Sequence, residues 1–116
     1  MTRKELIQLL LHETDSYEDY PFNKNKREKT LWTVIKQKST HKMIALIFEK
    51  NGQLMIDLKL KPEHGDEVRI YDGVFPGYHM NKTHWLTLAL GECDESTVAW
   101  FLNISYDLTQ RKKKAR

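Results

Sequence analysis

GVFPGYHMNKTHWLTL, residues 73–88, sets two glycines, a proline, two histidines, an asparagine, a lysine, a tyrosine and a tryptophan between a polar segment and an apolar one. A hydrophobic core has no use for that mixture, so the stretch reads as a junction. Before it, residues 61–71 are polar and helical in pattern, and Asp72-Gly73 ends that helix. After it, Leu86, Leu88 and Leu90 alternate as a half-buried strand does. Residues 75–80 pair with 85–90 across a turn at Asn81, Lys82, Thr83 and His84, which makes a hairpin.

Working backwards, Pro62 suits the first position of a helix, where its missing N–H would have had no partner. Glu63, Asp66 and Glu67 place negative charge at that helix's positive end. A helix over 62–71 follows. Upstream of it, Leu54, Ile56, Leu58 and Leu60 alternate with Met55, Asp57 and Lys59, so one face is buried and Asp57 falls on the solvent face. Asn51-Gly52 is a tight hairpin signal, because both residues tolerate positive φ. Residues 43–48 are apolar on both faces, as in a central strand, and 31–36 alternate aromatic and β-branched residues. These form a three-stranded meander. Residues 38–41 read as a turn, 23–30 as an exposed basic connection, and 14–22 as a loop in which Pro21 forces Tyr20 out of helical geometry.

The chain opens on Thr2 with Glu5 three residues later, the pattern of a capping box. Leu6, Ile7, Leu10 and Leu11 then lie at helical spacing as far as about Glu13. At the other end, Asp94 or Ser96 caps a last helix whose apolar stripe is Val98, Phe101, Leu102, Ser105 and Leu108. The predicted order is α-βββ-α-ββ-α. This is an α+β domain of two layers, a mainly antiparallel sheet covered by helices on one face.

The 116 residues suffice for one modest core, so residues 1–110 form a single domain and 111–116 a basic tail. The single cysteine, Cys93, excludes an internal disulfide. No apolar run approaches the roughly 20 residues that cross a bilayer, and the start of the chain reads as an amphipathic helix; both point to a cytoplasmic protein without membrane attachment. The net charge of +3 is unevenly placed: the last six residues carry +5, which leaves −2 on residues 1–110. Residues 23–42 carry +6, just after an acidic patch of Glu13, Asp15, Glu18 and Asp19. Such a surface is polarised, and the whole-chain charge describes it poorly.

The segment from Pro76 to Trp85, with its run His79-Met80-Asn81-Lys82-Thr83-His84-Trp85, resembles the MmcQ/YjbR family's P-x-x-H-[ML]-N-K-x-H-W. Tyr20-Pro21-Phe22, Leu58-Lys59 with Pro62-Glu63, and Ser105-Tyr106-Asp107-Leu108 are similar to further family elements, so the resemblance covers almost the whole chain. It implies the same α-βββ-α-ββ-α fold, related to CyaY-like and secretion-chaperone-like domains. It also implies a DNA-binding role, with the two hairpins as a double wing. The basic stretch after Phe22 and the basic tail lie outside the family's motifs and inherit nothing from it.

Two readings of the site follow. In the first, a non-enzymatic protein binds double-stranded DNA through Lys24, Lys26, Arg27, Lys29, Lys82 and Asn81, the cations meeting phosphates. In the second, Tyr78, His79, His84, Trp85 and Tyr106 line a groove between the second hairpin and the last helix that holds a small ligand or a protein partner. A third possibility, homodimerisation, would bury an apolar face of Trp32, Val34 and Trp85. No catalytic residue, metal site or cofactor is expected. His79 and His84 lack further ligands, and Glu92 and Asp94 would raise the Cys93 thiol rather than activate it. Nothing in the sequence brings Asp57 to His79 as an acid/base pair. None of the five glycines opens a dinucleotide-type loop.

Overall fold

The computed structural model describes residues 1–63, 65 and 70–110. Helix α1, Arg3–Glu13, starts on the capping box read from Thr2 and Glu5, in which each partner satisfies the other's free amide. Leu6 and Leu10 point to the core. Arg3 ties the helix to the sheet by donating to Thr33 Oγ1 at 3.1 Å and to the Ile47 carbonyl at 3.2 Å.

Six strands form one antiparallel sheet: β1 (Ser16–Asp19), β2 (Thr33–Gln37), β3 (Met43–Lys50), β4 (Gln53–Lys59), β5 (Val74–Pro76) and β6 (Trp85–Ala89), in the order β1-β2-β3-β4-β6-β5. The α+β class and the meander agree with the sequence reading. Asn51 and Gly52 turn the β3–β4 hairpin with φ of 52° and 75°.

Strand β1 is a correction, since residues 14–22 read as a loop. Ser-Tyr-Glu-Asp carries no apolar alternation, but an edge strand needs only one partner, and here it is supplied by β2, with Asp19 opposite Val34. Part of the acidic patch thereby meets the basic stretch: Lys36 Nζ lies 2.8 Å from Asp19 Oδ2, and this bond holds the Asp19 carboxyl below its usual range.

Half of the helix expected over 62–71, residues 64 and 66–69, lies outside those described; Pro62 and Glu63 make a 3₁₀ turn, and Ile70 and Tyr71 are turn and bend rather than helix. Helix α2, Glu95–Thr109, follows Asp94 as its N-cap, although no side chain bonds the free amides there. Its buried stripe is Val98, Phe101, Leu102, Ser105 and Thr109, with Leu108 only half-buried. With α1 it covers one face of the sheet, over Ile35, Ile47, Ile56, Leu58, Leu86 and Leu88. Ser105 joins the layers: its hydroxyl donates to the Ile44 carbonyl at 2.6 Å and accepts the Lys59 N–H at 2.9 Å.

The other face is not open to solvent, contrary to the one-sided burial read from β4. Val34, Leu46, Phe48, Met55 and Ala89 are buried there, with Trp32, Tyr78 and Met80 packed on them. The second hairpin is accordingly shorter than expected. Paired residues end at Pro76, opposite Leu86; Gly77 still donates to the Trp85 carbonyl at 3.1 Å and the His84 carbonyl accepts the Leu60 N–H at 2.8 Å, so residues 78–83 leave the sheet. Gly77 makes the departure possible, because it passes so close to β6 that a Cβ would stand 2.8 Å from the Trp85 carbonyl oxygen.

Removing the Ser105 hydroxyl leaves a buried amide and a buried carbonyl short of a partner. Ser105→Ala is expected to lower the unfolding free energy by about 2 kcal/mol in urea denaturation, with an unchanged m-value.

Candidate functional site

The register of the sheet sets Asp19, Val34, Leu46, Asp57, Thr87 and Phe75 in one row across all six strands. Directly paired residues share a face. Asp57 therefore stands at the centre of the face opposite the helices, and it is fully buried, which overturns its placement on a solvent face. The alternation along β4 is real, but the face it assigns to water is roofed by residues 77–80.

Asp57 is wired to that roof. The Thr87 hydroxyl donates to Asp57 Oδ1, and its oxygen accepts the Tyr78 N–H at 2.8 Å. Asp57 Oδ2 has no partner among the described residues. Burial pushes the carboxyl up to about 7, against the smaller downward pulls of the Thr87 hydrogen bond and the Lys82 charge.

The roof itself is the motif segment. His79 adopts φ of 62° and sets its ring edge-on to Trp32, with centroids 5.1 Å apart, and to Phe48 at 5.7 Å. Lys50 Nζ sits 3.6 Å from the centre of the Tyr78 ring, a cation–π contact. Lys82 Nζ donates to the Gly77 carbonyl at 3.1 Å. Asn81 closes the tip by accepting the Thr83 N–H on its side chain and the His84 N–H on its carbonyl. His79, Asn81, Lys82 and His84 are exposed, while Tyr78 and Trp85 are half-buried.

Tyr106 does not join them. It lies on α2 in the helix layer, where its hydroxyl accepts the Asp15 N–H at 3.2 Å and its carbonyl accepts from Gln37. The five-residue groove is thus divided by the sheet. The apolar face expected to mediate dimerisation is also occupied, since Val34 is fully buried by the chain itself.

Lys24, Lys26, Arg27 and Lys29 are all exposed on a loop that Asn23 closes, its side chain donating to the Thr30 carbonyl and accepting the Trp32 N–H, both at 2.8 Å. Trp32 at the loop's end is the residue that meets His79, so the basic loop and the motif segment adjoin. Among the described residues no three His, Cys, Asp or Glu side chains gather as metal ligands. Burial, and then Glu92 and Asp94, raise the Cys93 thiol, which donates to the Gly73 carbonyl at 3.3 Å.

Sequence reasoning misses three participants, Trp32 as a bridge, Thr87 and Asp57. A carboxylate among Leu54, Ile56, Leu58 and Leu60 is the available signal. It also misses a cleft of about 720 Å³ between α1 and α2, with Leu9, Leu90, Val98 and Leu102 inside and Glu5, Glu13 and Glu95 among its polar lining.

These features define a small α+β domain whose sheet is roofed by a His-Met-Asn-Lys-x-His-Trp segment. The YjbR family model matches residues 11–108, and the chain belongs to that family. It is 26% identical over 117 residues to YyaQ of Bacillus subtilis, described as an uncharacterised protein, covering 95% of this chain and 99% of the relative. A shorter match, 36% identical over 69 residues, is to YbdF of Escherichia coli O157:H7, covering 58% of this chain and 57% of that one. Among solved structures, a Pseudomonas syringae protein superposes with a TM-score of 0.79 at 28% identity, covering 95% of this chain and all (100%) of that one. A Deinococcus radiodurans protein with a DUF419 domain gives 0.72 at 31% identity, covering 96% and 80%. Among the described residues no helix is long and apolar enough to cross a membrane.

The raised Asp57 carboxyl carries a stability prediction. The folded state holds the Asp57 proton up to about pH 7, whereas an unfolded aspartate releases it near 4, so this group's contribution falls as pH rises through that window. Asp57→Asn keeps the shape and abolishes the ionisation. Its unfolding free energy relative to wild type is expected to improve by about 2 to 3 kcal/mol between about pH 5 and pH 8, measured by urea denaturation.

Proposed function

We propose that this YjbR protein is a non-enzymatic, double-stranded DNA-binding protein whose contact surface is the basic loop together with the exposed tip of the motif segment. The observation that carries the reading is the contact between Trp32 and His79, which sets the loop bearing Lys24, Lys26, Arg27 and Lys29 beside the segment bearing Asn81, Lys82 and His84. Cations on an exposed loop next to a tip of short polar side chains match what phosphates need: charge to displace counterions, and fixed donors to set register. The binding element is then one flank of a roofed sheet, with the motif tip in place of a free second wing.

The test is fluorescence anisotropy with a duplex of about 20 base pairs, at salt concentrations from about 50 to 200 mM, on the full chain and on one ending at Gln110. Replacing Lys24, Lys26, Arg27 and Lys29 together by Gln is expected to weaken binding. It should also reduce the slope of log affinity against log salt by about 3 to 4, near 0.9 for each phosphate that the loop no longer neutralises. Lys82→Gln alone is expected to reduce it by about 1. Unchanged affinity in the loop variant, or binding that disappears with the tail alone, overturns the proposal.

A small-ligand module is the alternative, and the cleft between α1 and α2 favours it over any groove at the motif, since about 720 Å³ is within the range of small-molecule sites. Stabilisation by a metabolite in a thermal-shift screen, abolished in Leu102→Trp, is the outcome expected of that reading. A screen without a stabiliser counts against it.

A further inference from the structure

Beyond Gly77, whose N–H donates to the Trp85 carbonyl at 3.1 Å, the motif segment is held to the sheet by a chain of two hydrogen bonds that ends on a titratable group. Tyr78 N–H donates to Thr87 Oγ1, and the Thr87 hydroxyl has one proton, which it gives to Asp57 Oδ1. The segment's anchoring therefore depends on the state of the carboxyl beneath it. We propose that Asp57, Thr87 and the Tyr78 amide form a proton-operated latch, which keeps residues 77–80 down on the sheet while Asp57 is neutral and lets them lift when Asp57 is ionised.

The geometry gives the reason. A neutral carboxyl in this position keeps the Thr87 bond and leaves one oxygen unpaired, which costs far less than burying a charge there. An ionised one requires donors on both oxygens, and Oδ2 has none among the described residues. Its neighbours in the row, Leu46 on β3 and Thr87 on β6, cannot supply a charge. Along β4, Met55 and Lys59 flank it on the same face, and Lys59 is at the strand's end. From the roof, Lys82 attracts the carboxylate, and His79 and His84 are the other titratable groups on that segment.

Lys82 is bonded to the Gly77 carbonyl, within the same segment, so it travels with the roof. Water is the remaining source of donors, and it reaches Oδ2 when residues 77–80 rise. Burial already pushes the carboxyl up to about 7, so the change falls near neutral pH. Lifting would uncover Val34, Leu46, Phe48, Met55 and Ala89, an apolar patch that the closed form hides. The latch stands whether or not the basic loop binds DNA.

The experiment is amide hydrogen exchange by NMR on the full chain, following Tyr78 from about pH 5.5 to 8.5 and correcting for the intrinsic rate. The opening constant is expected to rise by up to about tenfold per pH unit towards neutrality and to level off above about pH 8. The Asp57 carboxyl carbon shift should titrate with its midpoint where the rise levels off. Asp57→Asn should flatten the pH dependence. His79→Gln should retain it, and Thr87→Val should leave Tyr78 poorly protected throughout. A pH-independent opening constant in the wild type overturns the latch. So does a pH dependence that survives Asp57→Asn or vanishes in His79→Gln, or a carboxyl titration with a different midpoint.

Discussion

A six-stranded sheet has two faces to cover, and α1 and α2 both pack on one of them. Nearly everything unusual about the molecule follows from how the second face is closed. Its centre carries Leu46, Phe48 and Met55, too much apolar surface to leave in water. The chain closes it with its own connection, turning residues 77–84 out of the β5–β6 pairing and laying Tyr78 and Met80 over the sheet. The motif's composition then makes sense as roofing. Gly77 passes against Trp85, His79 takes a left-handed turn, Asn81 closes the tip, and an imidazole edge completes the aromatic cluster of Trp32 and Phe48.

The roof is thin and the helix layer is thick, and their fastenings differ. On the helix side, Ser105 bonds two strands at once, and Gln37 and Thr40 bind the last turn of α2, donating to the Tyr106 and Thr109 carbonyls. Those bonds are among neutral groups and do not change near neutral pH. On the roof side the equivalent fastening runs through a carboxyl, whose hydrogen-bonding requirements change with its charge. Apolar packing, the Gly77 bond to the Trp85 carbonyl and one titratable anchor together hold a segment that a third layer of helix would have held by burial alone.

How much of this is legible in the sequence depends on whether a residue's environment is set by its own neighbours along the chain. The capping box at Thr2 and Glu5, the Asn51-Gly52 turn and most of the α2 stripe are local patterns, and the structure bears them out. Strand β1 escapes because an edge strand draws its stability from its partner, here β2 on the far side of the basic loop, and Ser-Tyr-Glu-Asp has no periodicity of its own. Asp57 is misplaced for a related reason. Alternation identifies two faces but cannot say which is wet, and the roof that dries this one comes from a segment roughly twenty residues further on. The motif signals the family through its residue types, yet its path back across the sheet is a tertiary fact, and so is the separation of Tyr106 from His79 by the thickness of the sheet.

The distribution of charge follows from the same two-sided architecture. The net charge of +3 suggests a mildly basic protein, but the cleft between α1 and α2 has Glu5, Glu13, Glu95 and His12 in its lining and neither lysine nor arginine. Lys50 and Lys82 are placed on the roof, and the loop with Lys24, Lys26, Arg27 and Lys29 meets it at Trp32. Charges on opposite sides of a low-dielectric body, separated by more than the roughly 8 to 10 Å over which salt screens them, act on partners independently. Among the described residues, an anionic group therefore meets cations at the roof and its neighbouring loop, and a cationic group meets carboxylates in the cleft. Because the roof also sits over Asp57, the positively charged flank is the one whose local structure is coupled to a buried proton.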